Sequence, residues 1–145
     1  MYKNILVPVD LNEQGFADKA VALAMVYAKH ENAQIHLLNV LPGIHMSMVA
    51  NYFPKDAAHK MKIDMKQKLK DFAATHIGED ISYKTYITEG KPYKCILEYA
   101  AKVQAELIIM PSHKRSKVGK VLLGSIANTV VQKSPINVLV VKPQG

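Results

Sequence analysis

Three runs of the chain are almost wholly apolar and β-branched: NILVPVD (residues 4 to 10), AELIIMPS (105 to 112) and INVLVVK (136 to 142). Short continuous runs of this kind read as strands buried on both faces, the pattern of a parallel sheet whose crossover helices cover it on either side. Two further runs, QIHLLNVL (34 to 41) and ISYKTYITE (81 to 89), carry more polar positions. The second alternates Ile81, Tyr83, Thr85 and Ile87 against Ser82, Lys84, Tyr86 and Thr88, which places it near a sheet edge with one face exposed. Helical patterns occupy residues 15 to 32, 57 to 78, 91 to 104 and 122 to 134. Pro92 suits a first helical turn, Gly90 before it supplies an unusual backbone angle, and Gly78 suits a helix end. The alternation of strand and helix demands right-handed crossovers and one sheet with helices on both faces. With 145 residues, 49% hydrophobic and 21% charged, the chain reads as a single domain over residues 1 to 145.

Composition excludes several classes. No stretch approaches the roughly 18 apolar residues of a membrane span, and the N-terminal apolar run from Ile5 to Val9 is too short for a signal peptide. Cys95 is the only cysteine, so an intrachain disulfide or a cysteine-based zinc site is out of reach, which fits a reducing, cytosolic setting. Cys95 lies among Ile96, Leu97 and Ala100 and reads as a small buried hydrophobe. The six histidines show no metal-ligand spacing. The net charge of +7 favours an anionic partner, and its distribution narrows the choice. In residues 55 to 70, Met61, Met65, Leu69 and Phe72 recur at helical spacing, so the lysines there read as a wet helix face. The second basic stretch, residues 114 to 120, sits in a loop between strand and helix, where basic groups more often meet a ligand.

In an open doubly wound sheet the ligand crevice lies beyond the carboxyl ends of the strands, where strand order reverses. A central first strand would bring residues 8 to 10 and 110 to 114 together there. Asp10 then reads in two ways, as an acceptor for ribose hydroxyls or as an N-cap of the following helix. Gly124 and Ser125 open the last helix, whose free amides and dipole make an anion site, or they form a tight turn with a serine cap. The P-loop, G-x-G-x-x-G and G-x-S-x-G motifs are all absent. Residues 41 to 56, with Gly43 and Pro54, read as a surface loop folded over something.

Taken in order, NILVPVD, LLNVLP, EGKPYKCILEYA, AELIIMPSHK and LLGSIANTVVQKSPINVLVVK resemble the universal stress protein family over essentially the full length. The resemblance implies an α/β, Rossmann-like, doubly wound five-stranded parallel sheet in the order 3-2-1-4-5 that binds an adenine nucleotide. The family's phosphate motif is similar to G-x2-G-x9-G-[ST]. Here Pro111 and Lys114 stand at its first two glycine positions, while Gly124 and Ser125 match its last two. The resemblance further implies that Asp10 contacts the ribose and that the backbone of Val40 reads the adenine edge. It makes Val9 and Met110 neighbours of base or sugar, sets Ala127 beside the phosphates, and counts Pro8, Ser112 and Ile126 among the nucleotide-binding residues.

Pro111 cannot donate a backbone hydrogen bond and Lys114 lacks glycine's freedom at positive φ. One uncompensated charge-assisted bond, roughly 1.5 to 3 kcal/mol, weakens binding about ten- to hundredfold. The side chains of Lys114, Arg115 and Lys117 offer the phosphates cations instead. His113 reads as a loop histidine that packs or donates to phosphate, and no catalytic residue is assigned. The implied function is an ATP-binding, stress-response regulatory module with Mg2+ accompanying the nucleotide and at most slow hydrolysis. The alternative is a nucleotide-free dimerisation and interaction module. In the implied sheet order the last strand, Ile136 to Lys142, is an open edge, and pairing it antiparallel with its own copy gives a homodimer. A regulatory protein partner follows from the module reading, whereas nucleic acid lacks an aromatic platform or motif in the basic stretches.

Overall fold

The computed structural model describes residues 2 to 13, 15 to 41, 55 to 112 and 123 to 142. Strands β1 (Asn4–Pro8), β2 (Gln34–Leu41), β3 (Tyr83–Glu89), β4 (Leu107–Pro111) and β5 (Asn137–Val141) alternate with helices α1 (Asp18–Glu31), α2 (Lys55–His76), α3 (Pro92–Lys102) and α4 (Ser125–Lys133). All four strand pairings are parallel, and the order is β3-β2-β1-β4-β5. This is the doubly wound sheet expected, with its order reversing between β1 and β4.

Each face of the sheet carries its own core, because successive residues of a strand point to opposite sides. On one face Ile5, Val7, Ile35 and Leu37 pack against Ala20, Ala24 and Ala28 of α1 and against Leu69 and Ala73 of α2. The alanines recur at helical spacing, which lets α1 lie close to the strands. On the other face Leu6, Leu38 and Ile108 meet Ile96 and Ala100 of α3 and Ala127 and Val130 of α4. Gly90 has φ +137, a conformation side chains rarely adopt, and it turns the chain from β3 into α3 with Pro92 in the first turn.

Four details depart from the sequence reading. β1 ends at Pro8 and α1 begins only at Asp18, whereas the sequence suggests a strand to residue 10 and a helix from 15. α2 begins at Lys55, so the end of the expected 41 to 56 loop is helical; its residues 42 to 54 lie outside the described ones. β5, expected to be buried on both faces, has Val138, Leu139 and Val140 only half-buried and Asn137 exposed. The reason is its place: an outermost strand has a neighbour on one side alone. β3 does lie at the other edge, but its burial does not alternate as expected: Tyr83 and Lys84 are exposed, while Tyr86 packs against one core and Ile87 against the other.

His36 is a buried polar exception in the core, at 3% exposure. Its Nε2 lies 2.9 Å from Asn4 Oδ1 and its Nδ1 2.9 Å from the Tyr86 hydroxyl. Asn4 Oδ1 can only accept, so Nε2 carries the proton and Nδ1 accepts from Tyr86. Burial, reinforced by the Lys84 charge, holds the imidazole's pKa below its ordinary value.

Candidate functional site

At the carboxyl ends of β1, β2 and β4 lies a cleft of about 530 Å³. Pro8, Val9 and Asp10 contribute its wall from β1, Met110 and Pro111 from β4, and Leu38 to Leu41 from β2. The first turn of α4 closes one end through Ile126 and Ala127, and Gly90, Lys91, Pro92 and Ile96 form a further side. Its described walls are apolar with a few polar groups placed among them, the usual make-up of a small-molecule site.

Eight residues singled out from sequence thus line one cleft: Pro8, Val9, Asp10, Val40, Met110, Pro111, Ile126 and Ala127. Asp10 does not cap α1, whose N-cap is Ala17. Its Oδ1 accepts the Asn12 amide at 3.0 Å, an Asx turn that fixes the carboxylate at the tip of β1. The N-cap reading of Asp10 is therefore replaced. Pro111 ends β4 beside Val141, buried, with no amide proton to offer the cleft. Ser112 is buried and its amide donates to the Val141 carbonyl at 2.9 Å, so that amide serves the sheet.

Gly124 is the N-cap of α4 and Ser125 its first residue, and among the described residues no side chain caps this end. Among the described lining residues neither appears; the next two, Ile126 and Ala127, face the cleft instead. Gly124 has φ −61 and ψ 155, an extended conformation open to any residue. His113, Lys114, Arg115 and Lys117 lie outside the described residues.

Sequence reasoning passes over Asn39. It lines the cleft from β2, is 3% exposed, and its Nδ2 donates to the Val9 carbonyl at 3.1 Å. Its Oδ1 is buried with no hydrogen-bond partner among the described residues. The available signal was a lone amide inside an apolar run, which does not reveal whether the amide is satisfied.

Cys95 sits beside the β3–α3 turn, buried, with its thiol 3.6 Å from the Glu89 carbonyl. Burial pushes its pKa up, only partly opposed by a hydrogen bond with Thr88, and the side chain is the small buried group its surroundings suggest. A second hollow of about 550 Å³ lies between the β1–α1 loop and α2. Within it His76 Nε2 lies 3.3 Å from Asp18 Oδ1. No group of three or more potential metal ligands occurs among the described residues, and no helix there is long and apolar enough to cross a membrane.

Comparison with known proteins places this geometry in a family. Residues 1 to 142 match the model of the universal stress protein family. Universal stress protein G of Salmonella typhimurium is 31% identical over 98% of this chain and 100% of its own length. The solved structure of MJ0577, from Methanocaldococcus jannaschii, superposes with a TM-score of 0.82 at 27% identity, covering 100% of this chain and 99% of that one. Two more distant relatives share the fold and were solved with nucleotides. One is a universal stress protein from Archaeoglobus fulgidus in complex with dAMP, at 20% identity and a TM-score of 0.67 over 96% of this chain and 97% of that one. The other is a universal stress protein in complex with cAMP, at 22% identity and 0.59 over 97% and 96%. On the match along its length and the shared sheet, the chain belongs to the universal stress protein family.

Proposed function

We propose that the chain is a cytoplasmic, single-domain, homodimeric regulator of the stress response that binds ATP in the cleft above β1, β2 and β4. The observation that carries the reading is the order of chemistries along that cleft: the uncapped first turn of α4, then the Asp10 carboxylate, then the end of β2. A helix N-terminus attracts phosphate, a carboxylate accepts from ribose hydroxyls, and apolar walls take a base. The relatives solved with dAMP and cAMP support an adenine nucleotide in a fold of this kind. Val9 and Met110 then flank sugar and base, and the backbone of Val40 meets the base edge.

Mg2+ enters with the phosphates, since the described residues offer it no cluster of ligands and this ion is commonly held through a nucleotide. His113, Lys114 and Arg115 supply side-chain donors where Pro111 has none. The role is binding and signalling, with no catalytic residue assigned. Bound nucleotide alters the surface that a partner protein reads. The half-buried valines of β5 on the sheet edge support antiparallel pairing with a second copy.

ATP with Mg2+ is expected to raise the unfolding midpoint in step with its concentration, about 2.7 kcal/mol of stabilisation at a hundred times Kd. No shift at millimolar ATP would defeat the proposal. Pro111 favours a second reading, a nucleotide-free dimerisation module, because a proline in the cleft wall withholds a donor. Gly124→Leu separates the two. Its extended backbone tolerates the change, so under the first reading uptake is weakened, and under the second partner binding is untouched.

A further inference from the structure

The unpartnered oxygen of Asn39 has a consequence for what the cleft selects. The Val9 carbonyl can only accept, so the amide nitrogen of Asn39 must face it and the side chain cannot be turned over. Oδ1 is thereby held as an acceptor, buried and without a partner among the described residues. A buried acceptor left alone is costly and rare, and Asn39 is one of the residues that line the cleft. Strand order puts α4 and β4 at one end of the cleft, β1 in the middle and β2 at the other end. With phosphates at α4 and ribose at Asp10, a nucleotide laid along this line sets its base at β2, beside Asn39. The neighbouring Leu41 carbonyl already takes the Gly90 amide at 3.1 Å.

We infer that Asn39 is a specificity-determining residue of the cleft, its Oδ1 accepting a hydrogen bond from the exocyclic amine of a bound 6-aminopurine. The inference rests on the nucleotide reading above and adds the group that chooses the base. An amine at the 6 position satisfies the orphan oxygen. An oxo group there sets lone pair against lone pair, and a purine bare at that position leaves Oδ1 as it was.

The test is calorimetric titration of the full chain, wild type and Asn39→Leu, with AMP, IMP and purine riboside 5′-monophosphate. Wild type is expected to bind AMP about tenfold more tightly than the riboside lacking the amine, and IMP more weakly still. In Asn39→Leu that gap narrows, which a merely structural role for Asn39 would not produce. A gap of the same size in both proteins overturns the inference, whether Oδ1 is then served by water or by another group. IMP binding wild type as tightly as AMP also overturns it, and that comparison decides the matter should the leucine variant fail to fold. If none of the three binds wild type, the nucleotide reading itself falls; if AMP binds and the gap persists, only the role of Asn39 does.

Discussion

His36 and Asn39 are both 3% exposed, both polar, and lie three residues apart on β2. An odd separation puts them on opposite faces of the sheet. His36 has partners on both ring nitrogens, Asn4 and Tyr86, drawn from the two strands that flank β2. Asn39 has one partner for its nitrogen and, among the described residues, none for its oxygen. The difference separates two uses of a buried polar group. A side chain satisfied within the sheet ties strands together, whereas one left half-satisfied among the residues of a cleft is, in our proposal, completed by what enters the cleft.

The sharpest way to break the contrast is His36→Ala. Removing a large buried ring together with two hydrogen bonds is expected to cost about 2 to 4 kcal/mol in urea unfolding while leaving nucleotide affinity unchanged. A loss of affinity comparable to that from changing Asn39 would merge the two classes. Gly90→Ala comes next, at about 1 to 3 kcal/mol, because φ +137 strains any side chain and the new Cβ would stand 3.2 Å from Cys95 Sγ. Gly90 donates to Leu41 at the cleft wall, so this change should weaken nucleotide binding as well, unlike His36→Ala. Asn39→Leu should lower stability without ligand by only about 1 kcal/mol, since the lost bond to Val9 is offset by removing an orphaned oxygen.

The smallest effect is on pH dependence. His36 has a lowered pKa when folded, so below its ordinary value of 6.5 the unfolded chain binds more protons than the folded one. Its contribution to stability is complete above pH 6.5 and is lost progressively as pH falls toward the folded pKa. Unfolding midpoints at pH 7.5 and 5.5 should therefore differ less in His36→Gln than in wild type. An equal difference in the two would place the acid sensitivity elsewhere.

The same contrast explains what was legible in the sequence. The strands of the sheet show as apolar runs because parallel pairing covers both faces, and the helices show because Ala20, Ala24 and Ala28, or Leu69 and Ala73, recur at helical spacing. The cleft's walls were legible as ends of those runs, at Pro8 to Asp10 and Met110 to Pro111. Hydrogen-bond satisfaction was not. His36 and Asn39 look alike in QIHLLNVL, and what distinguishes them is the presence of Asn4 and Tyr86 across two strand pairings and the Val9 carbonyl. The partial exposure of β5 was hidden for a related reason: burial of an edge strand depends on a neighbour that local composition does not specify. The role of Asp10 stayed open until the Asx turn to Asn12 and the late start of α1 removed the capping alternative.

The central claim is that the cleft over β1, β2 and β4 takes an adenine nucleotide, and titration of the full chain with ATP and Mg2+ in a calorimeter tests it most directly. Saturable heat with one nucleotide per chain is expected, weakened by Gly124→Leu at the N-cap of α4 and preserved in a folded His36→Gln. Absence of binding at millimolar ATP would contradict it.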